Sequence, residues 1–272
     1  MVKCGDWPVG VCSWSLRTDI LGLARATAEL GVEHVHLAVR PALQGDKGYL
    51  AAVREQTWTI SGTMIDFPQE DYSTLERIKT TGGIVPDNCW QANRRLFGGA
   101  VDVTAELGVK YLSMHAGFID THQAEYARQF CDRIRHLADA AAEKQIMLLL
   151  ETGQETADEL RRFLEQLNHP ALGVNFDPAN MILYDKGTPT EALRILAPWI
   201  KHIHIKDATR TKQPGTWGTE VPWGRGEVGA NDFLEVLKKI GFDGVLAVER
   251  EAGQDRFGDI KLAVDSLNCF NL

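Results

Sequence analysis

Three carboxylates and one imidazole close successive apolar runs in the second half of the chain: Glu151 in IMLLLETGQE, Asp177 in LGVNFDPAN, His204 in KHIHIKDATR and Glu249 in GVLAVERE. In KHIHIK the alternation puts His202, His204 and Lys206 on one face of an extended segment, where apolar side chains are usual. Each residue alone has a plainer reading. A strand-closing Asp often caps the next helix, Pro178 suits a first helical position, and a lone strand histidine is more often a core residue. Gathered on one rim, three carboxylates repel one another unless a cation lies among them. Three oxygen donors and an imidazole suit one divalent ion, Mn²⁺, Mg²⁺ or Co²⁺, better than Zn²⁺ with its preference for thiolate. Glu151, Asp177, His204 and Glu249 are therefore the expected metal ligands. His202, a layer deeper, is expected to be structural, and Asp207, of opposite parity, to cap a helix.

To meet on one rim, these residues need strands that run side by side in the same direction. Eight short runs rich in β-branched residues or Leu recur at 9–14, 34–39, 57–65, 110–115, 146–151, 172–177, 202–206 and 244–249. Amphipathic stretches separate them, among them TDILGLARATAEL, HQAEYARQFCDRIRHLADAAAEK, TADELRRFLEQL and ANDFLEVLKKI. Eight such units in about 250 residues predict an α/β chain folded as a single (β/α)8 TIM barrel over residues 1–272, with an open doubly wound sheet as the rival. ELGVEHVHL and ELGVKYLSMH echo each other, each with a Gly placed to end a helix. In a barrel the chemistry lies where strands end, which adds Trp14 and His115, and by parity Lys206, as candidate substrate contacts.

A formal charge of −8 argues against a long nucleic-acid footprint. Five scattered cysteines without a CxxC make neither a disulfide framework nor a zinc knuckle and fit a reducing compartment. The opening MVKCGDWPVGV lacks a secretory apolar core, and no run is long enough to cross a bilayer, so a cytoplasmic protein is expected. The 211–232 segment is long for a βα connection and is expected to form a lid carrying Trp217 or Trp223. Its GRGEVG matches a dinucleotide fingerprint only in letters, because no strand leads directly into it.

From VGVCSWS through LETGQE, GVNFDPAN and HIHIKD to GFDGVLAVERE, the chain resembles the xylose isomerase-like TIM-barrel superfamily, and within it the tagatose/psicose 3-epimerase-like branch. The resemblance implies the same four metal ligands and a substrate-contacting Arg six residues after the ligand His, which is Arg210. It implies a sugar isomerase or epimerase working through an enediolate, with Glu151 and Glu249 exchanging protons and the metal acting as Lewis acid. Two places depart from it. Asn180 stands where ketose epimerases usually carry His, and His36 stands where many relatives end the second strand in Glu. Asn180 can still hydrogen-bond a substrate but cannot carry a proton charge. A lyase or dehydratase of keto-sugars or inositols is the first alternative. A DNA-repair endonuclease needs more His ligands and a basic surface, and a non-catalytic sugar-binding barrel would not need all four ligands. The expected partner is a small sugar, with no nucleic acid and no membrane. A homo-oligomer is compatible with the fold, and nothing in the sequence locates an interface.

Overall fold

The eight apolar runs pair in parallel and close on themselves in a computed structural model, which describes residues 2–46, 48–119 and 123–270. The strands are β1 (Trp7–Cys12), β2 (His34–Ala38), β3 (Thr59–Ile65), β4 (Tyr111–Met114), β5 (Met147–Glu151), β6 (Leu172–Phe176), β7 (Ile200–Ile205) and β8 (Leu246–Val248). Each lies beside its sequence neighbour, and β1 pairs in parallel with both β2 and β8, so the sheet is a closed barrel. A short arm, Lys3–Cys4, folds back antiparallel on β1 and covers the end away from the site.

Apart from β3, whose first half is partly open, the strands are buried almost throughout because helices cover their outer faces. The principal helices are α1 (Ile20–Leu30), α2 (Tyr49–Arg54), α3 (Trp90–Glu106), α4 (Ala124–Ala142), α5 (Ala157–Leu167), α6 (Pro189–Leu196), α7 (Ala230–Lys239) and α8 (Arg256–Asn268). The amphipathic stretch read from His122 becomes α4; His122 itself lies outside the described residues. Local chemistry sets the helix starts. Asp19 accepts from Gly22 N–H, and Thr156 and Glu159 satisfy each other's backbone groups in a capping box at α5. Both echo glycines follow helices in the left-handed region, Gly31 at φ 70° and Gly108 at φ 69°, where a side chain would be strained.

Two boundaries differ from the sequence reading. The first run was expected to extend to Trp14, but the chain leaves β1 at Cys12 and turns through a 3-10 segment, Ser13–Leu16, which Arg17 ends at φ 49°. The segment after β7 begins as a two-stranded ribbon, Asp207–Thr209 against Thr219–Val221. Asp207 is therefore not a helix cap. Buried, it accepts the backbone N–H groups of Ala208, Gly224, Gly226 and Val228 and so pins the loop to the barrel rim.

Candidate metal centre

The strand order brings Glu151, Asp177, His204 and Glu249 to the same rim on four adjacent strands. Glu151 ends β5, Asp177 directly follows β6, His204 lies near the end of β7 and Glu249 directly follows β8. All four are buried, at 0–5% exposure. One candidate ligand atom from each lies within 4.8 Å of the other three. His204 Nδ1 is 2.8 Å from Glu151 Oε1, 3.2 Å from Glu249 Oε2 and 3.7 Å from Asp177 Oδ2. Asp177 Oδ2 is buried without a hydrogen-bond partner, a costly condition for a polar atom unless a ligand satisfies it. Burial opposes a charge on His204, yet Cys12, Glu249 and Glu151 together hold its pKa well above the ordinary value. For Glu151, burial again opposes the charge, and His115 and His204 override it, keeping the carboxyl ionised. A field that keeps a fully buried imidazole charged also attracts a dication, and the donor set of three carboxylates and one imidazole fits a hard ion.

Inside the barrel, further polar residues set the orientation of this group. His204 Nε2 lies 2.9 Å from His36 Nδ1 and 3.1 Å from Asn175 Nδ2. Asn175 Oδ1 meets His202 Nδ1 at 3.0 Å, and His202 Nε2 meets Ser61 Oγ at 3.0 Å. His202 thus braces the amide beside the ligand histidine and touches no carboxylate. Asp177 has two roles: Oδ1 caps the Pro178–Leu183 helix by accepting from Asn180 N–H, while Oδ2 remains for the centre. Thr152 Oγ1 accepts from Asp177 N–H and donates to its carbonyl, holding the backbone there on both sides.

Above the centre opens a cavity of about 820 Å³. Trp14, His115, Asn180 and Lys206 line it together with Glu151 and Glu249. Trp14 donates its indole N–H to Glu249 Oε1 at 2.6 Å. His115 Nε2 lies 2.7 Å from Glu151 Oε2; burial alone would lower its pKa, but Glu151 raises it to about 9. Lys206 Nζ bridges Glu249 and Glu251 at 3.1 and 2.7 Å. Arg210 is placed elsewhere. Its guanidinium is held by Asp185 and the Gly187 carbonyl, and it is not among the residues that line the cavity. Of the two loop tryptophans, Trp217 lines the cavity, whereas Trp223 is buried edge-on against Phe233.

Sequence reasoning missed much of the wall. Glu70 and Tyr72 come from the long 66–89 connection, and Tyr184 from the turn after the Pro178–Leu183 helix. The length of that connection was a usable signal. Glu251 was legible too, since it shares strand parity with Glu249.

Comparison with known proteins agrees with this architecture. The sequence model of the family described as "Xylose isomerase-like TIM barrel" matches residues 24–271. A xylose isomerase domain protein from Planctomyces limnophilus superposes with a TM-score of 0.88 at 29% identity, over 98% of this chain and 97% of that one. A ketose 3-epimerase of Arthrobacter globiformis is 27% identical over 172 residues, 58% of this chain and 55% of the epimerase. A 3-dehydroshikimate dehydratase of Bacillus anthracis is 32% identical over 96 residues, 34% of this chain and 33% of the dehydratase. The matched segments thus span only about a third to a half of these two curated relatives. Among the described residues no helix is long and apolar enough to cross a membrane.

Proposed function

This chain belongs to the xylose isomerase-like TIM-barrel family, and we propose that it is a divalent-metal-dependent isomerase or epimerase of a keto-sugar, moving a proton off and onto the carbon beside a carbonyl. The observation that carries this reading is the pair Glu151 and Glu249. They flank His204 Nδ1 from β5 and β8, with β6 and β7 between them, and both line the cavity floor. A dication such as Mn²⁺, Mg²⁺ or Co²⁺, held by Glu151, Asp177, His204 and Glu249, supplies Lewis-acid polarisation of a substrate carbonyl.

The remaining chemistry belongs to side chains. Glu151 takes the proton, and His115, hydrogen-bonded to its second oxygen, holds the carboxyl in place. Glu249 is held in place by Trp14 and Lys206 and serves as the second acid–base group. Use of one carboxylate gives isomerisation, and use of both from opposite faces of the substrate carbon gives epimerisation. Asn180, with no proton charge to offer, lines the wall as a hydrogen-bonding contact for substrate hydroxyls. Five unpaired cysteines fit a reducing compartment such as the cytoplasm.

Dehydration of a keto-sugar or inosose is the second reading. Lys206 favours it, because an ammonium on the cavity wall beside Glu249 is placed to protonate a departing hydroxyl. Incubation of the Mn²⁺-loaded protein with ketoses in D₂O tests both readings. Deuterium entering the α-carbon of recovered sugar supports isomerase or epimerase chemistry, and a dehydrated product supports the second reading. Glu151→Gln and Glu249→Gln should abolish the exchange; full exchange in both variants removes them as acid and base.

A further inference from the structure

We propose that the cavity takes an uncharged two-ring sugar, with the keto ring over the metal centre and the second ring in an outer, aromatic-walled subsite. This rests on the keto-sugar reading above and specifies its substrate class.

Size is the first support. A cavity of about 820 Å³ lies toward the upper end of the roughly 300–1,000 Å³ of pockets that take drug-sized ligands. A free hexose, with only about a dozen heavy atoms, is smaller than such ligands and leaves part of the space unfilled. The unfilled part has its own walls. Phe67 and Tyr72 come from the connection after β3, Tyr184 from the one after β6 and Trp217 from the one after β7. Tyr184 and Trp217 meet edge to face, with ring centroids 4.7 Å apart, and form a corner. The segment carrying Trp217 is docked rather than loose: Gly218 N–H donates to the Leu183 carbonyl at 3.1 Å. Trp217 also keeps a buried indole N–H that no protein group accepts, and Tyr72 leaves 42% of its surface to solvent beside the same cavity. Flat apolar faces with a spare donor are what the C–H face and the hydroxyls of a sugar ring engage.

Charge is the second support. Six carboxylates line the cavity, Asp66, Glu70, Glu151, Glu220, Glu249 and Glu251, against two permanent cations, Arg40 and Lys206. Both cations are already engaged, Arg40 by Asp66 and Lys206 by Glu249 and Glu251. His115 is engaged by Glu151. Each cation lining the cavity is thus already paired with a carboxylate, so none is left over to hold a phosphate or a sugar carboxylate.

The test uses the Mn²⁺-loaded protein and three probes: a disaccharide oxidised to a ketone on one ring, the free ketohexose, and its phosphate. Calorimetry reads binding, and NMR in D₂O reads α-proton exchange. The keto-disaccharide should bind at least about tenfold more tightly than the ketohexose, and the phosphate at least about tenfold more weakly. Trp217→Ala should cut the disaccharide advantage below about threefold, and Trp217→Phe should retain most of it. Equal or tighter binding of the ketohexose or its phosphate overturns the proposal, as does no binding by any probe. If the ketohexose or its phosphate is the best bound and exchanges its proton, the chemistry stands and the substrate assignment fails. If the keto-disaccharide shows the expected preference but exchanges no proton, the assignment stands and the chemistry fails.

Discussion

His36 Nδ1 lies 2.9 Å from His204 Nε2, so the ligand histidine is held from inside the barrel on the side away from the carboxylates. Burial, with His204 adding to it, pushes the pKa of His36 down to about 3, which leaves it a neutral ring with a lone pair to offer. A metal at His204 Nδ1 requires the His204 proton on Nε2, and His36 Nδ1 is there to accept it. Such outer partners fix tautomer and ring plane, and their loss typically costs about 10- to 100-fold in metal affinity. His36→Phe, which keeps the bulk and removes the acceptor, should weaken Mn²⁺ binding by that factor in a calorimetric titration. In ¹⁵N NMR of the Mg²⁺-loaded protein, the single Nε2–H tautomer of His204 should be lost. Wild-type affinity in His36→Phe would dismiss the role.

The two oxygens of Asp177 allow cap and ligand to be separated. Asn caps a helix about as well as Asp, so Asp177→Asn should retain the melting temperature while weakening metal binding at least tenfold. Asp177→Ala should lose both, with an added destabilisation of about 0.5–2 kcal/mol from the missing cap. Paired thermal melts and Mn²⁺ titrations of the two variants provide the check.

Glu155 makes stability depend on pH. Burial raises its carboxyl to about 8 in the folded protein, with Lys186 and His115 only partly opposing. The unfolded chain releases that proton near the ordinary value of about 4.3, while the folded chain keeps it. The contribution is therefore present in full below about pH 4 and is lost as pH rises to 8, by roughly 3–5 kcal/mol. Urea unfolding from pH 4.5 to 8.5 should show this fall, and Glu155→Gln should flatten it. An unchanged slope in the variant would place the effect elsewhere.

Gly226 packs against the Asp207 knot. A Cβ there would lie 2.2 Å from Asp207 Oδ1 and 2.4 Å from the Ala208 carbonyl, so Gly226→Ala must push the loop away. Each buried N–H that loses its carboxylate costs about 1–3 kcal/mol. The same loop carries Trp217 and Glu220 into the cavity wall. The variant should melt several degrees lower and show a raised KM, while its Mn²⁺ affinity stays within about twofold of wild type, because no ligand sits on that loop.

Legibility from the sequence followed periodicity. The barrel was readable because its strands are short apolar runs separated by helical spacing, and the four candidate ligands because each interrupts or closes such a run at a strand end. The alternation of HIHIK likewise placed His202 and Lys206 on the face of His204. Where the chain leaves regular structure, that signal fails. Pattern alone puts Trp14 at a strand end, but it sits in a 3-10 turn, and parity makes Asp207 a helix cap, but it collects N–H groups from a loop about twenty residues on. The spacing from His204 that marks Arg210 says nothing of its tertiary partners, Asp185 and the Gly187 carbonyl. Glu70, Tyr72 and Tyr184 come from connections whose path depends on tertiary packing, so no local pattern marked them as wall residues.

The central claim is that a dication belongs between Glu151, Asp177, His204 and Glu249. Anomalous diffraction from crystals soaked in Mn²⁺ tests it most directly. We predict one peak coordinated by Glu151, Asp177 and Glu249 oxygens and by His204 Nδ1. A fully soaked crystal with no peak there, or with Mn²⁺ bound only by other residues, would contradict the account.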